Sequence, residues 1–129
     1  MSELQGRTGN GWEYYTAKEC DIAQFLKDNG IEVKSVDVAD INGVKSPDSI
    51  IVETNSTVEF KTVETSSKNA VSQNIRNGSK QSSRIVIDLR KGGTTQETAI
   101  SELQSSLYRY GGDLEEVVLI GDGYVVAWP

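Results

Sequence analysis

The chain has 129 residues, a net charge of −6 and an ordinary globular composition, with one cysteine and no histidine. That length is enough for a single domain over residues 1–129 that buries a core without staples. The lone Cys20 excludes an intrachain disulfide and a cysteine zinc cage, and the lack of histidine excludes histidine acid–base chemistry, Ser-His-Asp triads and histidine-bound zinc. Carboxylates, lysine, arginine, hydroxyls and an oxygen-bound metal remain for chemistry.

No apolar run approaches the roughly 20 residues of a membrane span, and "MSELQGRTGN" lacks the basic and apolar stretches of a signal peptide. Stable membrane association is therefore not expected. Residues 12–29 have helical periodicity and stop at Gly30. Strands are predicted at "IEVKSVDV", "DSIIVE" and "TVEFKTV", separated by the turn-like "DINGVKSP" and "TNS". A second helix is expected from Lys68 to Gln81, with Gly78 weakening its end. "RIVIDLR" is the clearest strand, and a third helix from Thr95 to Tyr110 carries Ile100, Leu103 and Leu107 at helical spacing. "KGGTTQ" reads as a linker and cap, and "EEVVLIGDGYVVAWP" as a hairpin turning at Gly121-Asp122-Gly123. The order is α-β-β-β-α-β extended by α-β-β, an α/β fold.

Placed at 100° per residue, the first helix carries Trp12, Tyr15, Ile22, Ala23 and Leu26 on one face, with Glu19 in the middle of it. A carboxylate on a buried stripe needs a partner. Glu59 and Lys61 share one face of a strand and Phe60 takes the other, while Asp48 opens the strand before it. If those strands form a hairpin and the helix packs across them, Glu19, Asp48 and Glu59 converge beside Lys61. Such oxygen ligands suit Mg²⁺ or Mn²⁺. The metal would activate water and polarise a phosphoryl oxygen, with Lys61 orienting or deprotonating the water or steadying the developing charge. Taken alone, E-x-K on a strand is a surface ion pair and "SPD" is ordinary turn chemistry; the combination is what carries information.

The charge is unevenly spread. Residues 61–91 hold seven cations against Glu64 and Asp88, a net +5, which leaves the remainder at −11. A basic central segment suits phosphates, although an unevenly charged solvated surface has the same composition. On the second helix Val71, Ile75, Gly78 and Ser82 form the inner stripe, with Asn74, Asn77 and Gln81 on one flank and Arg76 and Lys80 outside. Asn74 and Gln81 are placed to reach a cleft edge, and Arg76 and Lys80 to meet phosphates. Trp12, Tyr15 and Tyr108 are expected in the core, and Cys20 is expected to be inert.

Pro47-Asp48 followed by Glu59-Phe60-Lys61 resembles the PD-(D/E)XK signature of restriction-endonuclease-like nucleases, whose core order is α-β-β-β-α-β. "VEFKT" followed by "SSKNAVSQNIRNGSKQSSRIVIDLR" resembles the C-terminal tRNA nuclease domains of contact-dependent growth inhibition toxins. The resemblance covers about residues 17–90. It implies a restriction-endonuclease-like core with a C-terminal helix and β-hairpin extension. It also implies a metal-dependent endoribonuclease cleaving tRNA, with Glu19, Asp48, Glu59 and Lys61 catalytic and the three carboxylates holding Mg²⁺ or Mn²⁺. Asn74, Arg76, Lys80 and Gln81 become the substrate-binding set. No organic cofactor is implied. Family members are exported as the C-terminal part of a larger bacterial surface toxin, act in the target-cell cytoplasm and are neutralised by a cognate immunity protein. The alternatives are a metal-independent ribonuclease toxin resembling barnase or colicin D, and a non-enzymatic interaction or immunity module.

Overall fold

The computed structural model describes residues 11–36 and 47–129. The elements are α1 (Ala17–Asp28), β1 (Val33–Ser35), β2 (Ser49–Ile51), β3 (Ser56–Thr62), α2 (Ala70–Ser79), β4 (Arg84–Asp88), α3 (Gln96–Tyr110), a 3₁₀ turn (Gly111–Asp113), β5 (Glu116–Ile120) and β6 (Val125–Trp128). The expected element order holds. Residues 37 and 38 of the first predicted strand, most of the "DINGVKSP" turn and the "MSELQGRTGN" stretch lie outside the described residues.

The six strands form one mixed sheet whose spatial order repeats their chain order. β1, β2 and β3 pair antiparallel, β3, β4 and β5 pair parallel, and β6 returns antiparallel on β5. The predicted terminal hairpin is thus a continuation of the same sheet, because β5 adds to β4 over five residue pairs, Arg84↔Glu116 to Asp88↔Ile120. Each parallel step needs a crossover, and two successive crossovers of one hand moving the same way across a sheet lie on the same face. Accordingly α2 and α3 share one layer, with Val71, Ile75, Ala99 and Leu103 packed on Ile85, Ile87, Val117 and Leu119. The opposite face takes α1, whose Ile22, Ala23 and Leu26 bury Val33, Val58, Phe60, Val86 and Ile120. β4 is covered on both sides, which is why it reads as a nearly unbroken apolar run.

Helix α1 is shorter than its apolar pattern suggests. Trp12 and Tyr15 are buried as expected, but they lie in the turn ahead of the helix, where the Trp12 indole N–H donates to the Val33 carbonyl at 3.0 Å. Thr16 is the N-cap: its hydroxyl accepts from the Glu19 N–H at 3.2 Å, and Glu19 Oε1 accepts from the Thr16 N–H at 2.9 Å. This reciprocal pair satisfies two donors that a helix start leaves open. The expected inner stripe is buried: Val71, Ile75 and Gly78 in α2 and Ser82 just beyond its end. Gly78 is tolerated because the helix needs it close to β4: a Cβ there would meet Ile85 Cδ1 at 3.1 Å. Tyr108, expected in the core, is 88% exposed instead. It falls on the solvent side of α3, whose buried positions are Ala99, Leu103 and Ser106.

Candidate active site

Antiparallel pairing explains why Asp48 and Glu59 meet. Ser49 stands opposite Val58, so the next residue outward on each strand, Asp48 and Glu59, face each other. The Asp48 N–H donates to Glu59 Oε1 at 3.1 Å, and the Phe60 N–H donates to Asp48 Oδ2 at 3.2 Å. Alternation along β3 sends Phe60 into the α1 layer and Glu59 and Lys61 toward the layer of α2 and α3, in register with Ile85 and Ile87. Two-residue spacing brings Lys61 Nζ to 3.3 Å from Glu59 Oε2. Glu59 is 5% exposed, and Lys61 is partly open to solvent.

Glu19 approaches from the α1 side. It is half-buried rather than central to the apolar stripe, because it occupies the first turn and spends one oxygen on the Thr16 cap. Its carboxylate nevertheless lies close enough to Asp48 to raise that group's pKa. Behind them, the buried Tyr15 hydroxyl is hydrogen-bonded to the Ser49 hydroxyl, which donates to the Lys34 carbonyl at 3.1 Å.

The electrostatics follow from this crowding. Burial, then the charge of Glu59, then that of Glu19 push Asp48 up to about 7, against the opposing hydrogen bond from the Phe60 N–H. Burial also raises Glu59, with Lys61 resisting. The Tyr15 phenol is pushed up by burial, with the Ser49 hydrogen bond opposing. Two neighbouring carboxyls, Asp48 and Glu59, whose ionisation burial penalises make a site prepared either to share a proton or to receive a cation.

As a donor set, Asp48 and Glu59 are hard oxygen ligands side by side, with Glu19 adjoining. Among the described residues no three acidic side chains already form a cation-holding group. Two carboxylates suffice for Mg²⁺, which keeps several waters and completes its shell with substrate phosphate. The residues present therefore fit such an ion through Asp48 and Glu59.

Asp48→Asn separates proton from metal effects. A carboxyl whose folded pKa stands near 7, above its ordinary value of 3.8, binds more protons native than unfolded between those pH values. The metal-free protein then loses stability as pH rises across that window. We expect Asp48→Asn to melt like the parent at pH 4 but to be more stable at pH 8 by roughly 1–2 kcal/mol, discounted for partial exposure. Thermal melts in chelator check this, and parallel pH profiles for the two proteins would remove the shift.

The substrate-binding candidates are placed less decisively. Asn74 is half-buried and its amide donates to the Ala70 carbonyl at 2.8 Å, a bond within α2. Gln81 is half-buried just past the helix end, and Arg76 and Lys80 are exposed. Three features escaped the sequence reading. The Thr16-x-x-Glu19 capping box was visible as a motif; the Tyr15–Ser49 pair was not, because it depends on which segments adjoin, and the Asp88–Arg90 pair, though only two residues apart, is set by the burial of Asp88 and the approach of Phe25.

With this geometry in hand, comparison with known proteins is informative. The profile of the contact-dependent growth inhibition CdiA C-terminal domain matches residues 45–125. That is more than half of the chain, and it includes Asp48, Glu59, Lys61, α2 and α3 but not α1. The protein belongs to this family of toxin domains. Among solved structures, the CdiA-CT/CdiI toxin and immunity complex from Burkholderia pseudomallei resembles it with a TM-score of 0.62 at 21% identity, covering 85% of this chain and 80% of that one. At that identity the likeness is one of fold. No curated protein sequence matches the chain.

Proposed function

We propose that this domain is a metal-dependent endoribonuclease of PD-(D/E)XK type with a restriction-endonuclease-like core, acting on tRNA. The observation that carries the reading is the meeting of Asp48 and Glu59 across two paired strands, with the Lys61 ammonium 3.3 Å from Glu59. Asp48 and Glu59 would hold Mg²⁺ or Mn²⁺, with Glu19 beside them. Such an ion would supply Lewis-acid stabilisation of the phosphate and a water of lowered pKa. Lys61, fixed by Glu59, would orient the attacking water or steady the charge gathering on the phosphoryl oxygens. Thr16 and Tyr15 set the positions of Glu19 and of the strand that carries Asp48. Asn74 and Gln81 border the cleft, and Arg76 and Lys80 meet the backbone phosphates.

Family membership supports export as the tip of a larger surface toxin that acts in the cytoplasm of a target cell. No helix of the described residues is long and apolar enough to cross a membrane. The solved relative is a toxin bound to its immunity protein, which supports a cognate immunity partner here.

A second reading has one observation in its favour. A carboxyl titrating near 7 is matched to general acid–base catalysis at neutral pH, and a ribonuclease built on it would need no metal. Incubating the domain with total tRNA in Mg²⁺ and in excess chelator separates the two. The metal-dependent reading expects cleavage only with the ion. Chelator-insensitive cleavage leaving 2′,3′-cyclic phosphate ends favours the second, and no cleavage in either condition rejects both.

A further inference from the structure

The layer of α2 and α3 contains a feature that the carboxylate site does not use. Between the two helices lies a polar groove of about 280 Å³, lined by Ser72, Gln73 and Arg76 from α2 and by Ser105, Arg109 and Tyr110 from α3, among others. Its lining includes two guanidinium groups and several hydroxyl and amide groups, but no carboxylate. That is unusual in a chain with 19 acidic residues against 13 basic ones. The nearby Glu102 is already engaged, accepting the Ser72 N–H at 2.9 Å at the start of α2.

Charge pairing elsewhere sharpens the contrast. Arg84 is held by Glu115 and Glu116, and Arg90 by Asp88. Arg76 and Arg109 have no carboxylate within ion-pair distance among the described residues. Two guanidinium forks with no ion-pair partner among the described residues, set on two rigid helices with the Ser105 hydroxyl beside them, match the tetrahedral, multiply accepting oxygens of a phosphodiester; the Ser72 hydroxyl already donates to the Asn69 carbonyl at 3.1 Å. A third helix supplies half of these donors, so the site is invisible in any pattern confined to the second.

We propose that this groove binds the RNA sugar–phosphate backbone, with Arg109 and Arg76 clamping phosphates outside the carboxylate site. The proposal rests on the ribonuclease reading. It assigns Arg109 and Ser105 to substrate binding and gives Arg76 a partner on the neighbouring helix. Backbone contacts of this kind set the position of an RNA and carry no sequence information themselves.

The test measures binding of a fluorescent tRNA transcript, and of an unrelated RNA hairpin, in chelator and over a range of salt. The proteins are the parent, Arg109→Gln, Arg76→Gln/Arg109→Gln and the corresponding double lysine variant, each checked for an unchanged melting profile. Both arginines lie on exposed helix surface and glutamine is a good helix former. Each lost arginine should weaken both RNAs on the order of tenfold, as expected for a charged hydrogen bond. The double glutamine variant should lower the slope of log K against log salt by about 1.4 to 1.8, and the lysine variant should recover part of the affinity. Equal affinity and slope for parent and double variant, with cleavage by the parent intact, overturns the groove alone. A parent that neither binds nor cleaves RNA overturns the ribonuclease reading and the groove with it. Two other results also reject the proposal. One is perturbation of the Ser72 and Ser105 amides by inorganic phosphate with RNA binding unchanged; the other is loss of immunity-protein binding alone, which would make the groove a protein-docking surface.

Discussion

Glu59→Gln and Lys61→Ala are each expected to lower metal-dependent tRNA cleavage by at least about a hundredfold, while both proteins still melt cooperatively. Glutamine is the informative replacement at 59. Its carbonyl oxygen still accepts the Asp48 N–H that Glu59 accepts at 3.1 Å, so strands β2 and β3 keep their register, while the negative charge that would hold a cation is gone. Removing Lys61 leaves Glu59 buried without its ammonium partner. That carboxyl then takes a proton more readily, because burial already raises it and Lys61 is what resists. The two variants therefore fail by different routes, and added Mg²⁺ should restore neither. Single-turnover cleavage of purified tRNA, with circular dichroism melts on the same samples, checks the outcome. Full activity in Glu59→Gln would show that the carboxylate is structural.

The largest stability effect is expected at a site that does no chemistry. Asp88, at the end of β4, is 2% exposed, and Arg90 grips it with a fork: Nε to Oδ1 and Nη2 to Oδ2, both at 2.9 Å. The Arg90 backbone N–H adds a third bond to Oδ1 at 3.0 Å, and the guanidinium lies 5.4 Å from the Phe25 ring of α1. Burial pushes the Asp88 carboxyl up, but these bonds outweigh it and hold the group below the usual carboxylate range. Arg90→Ala would strip the side-chain fork from a nearly buried carboxylate; because Arg90 is itself 34% exposed and its backbone N–H still donates to Oδ1, the cost should fall at the low end for a broken buried pair, about 3 kcal/mol. Adding Asp88→Asn to that variant should return part of the loss, since the stranded charge is gone. The contrast is Lys18 with Glu64, an ion pair whose side chains are 53% and 48% exposed, where truncation should leave stability nearly unchanged because water screens the pair. Denaturant titrations of the single and double variants measure both.

How far the sequence revealed the site depended on whether the information was local. Among the described residues, periodicity and turn residues located each α-helix and strand, because apolar spacing reports directly on burial. It placed Glu59 and Lys61 on one face for the same reason. The meeting of Asp48 with Glu59 required only that two successive strands pair, and the short "TNS" turn made that pairing expected. Helix α1 was overextended because Trp12 and Tyr15 are apolar and buried yet not helical; the Thr16-x-x-Glu19 cap marked the true start. Tyr108 was misplaced because a tyrosine beside an apolar stripe tolerates either side of a helix. The Arg76 and Arg109 groove, and the Asp88 clasp on Arg90 against Phe25, join residues from separate elements. Only the assembled layers bring them together.

The sheet itself has a further consequence. Its spatial sequence, β1 through β6, repeats the chain sequence, so no strand has to be inserted between two that have already joined. A polypeptide emerging end first can complete this sheet by accretion, each new strand finding an open edge left by the one before it. Among the strand pairings the longest-range closures are then the two helical crossovers, whereas the docking of α1 on Val86 and Ile120 closes the longest loop. Such a sheet can be regrown from one end without reopening any pair already made.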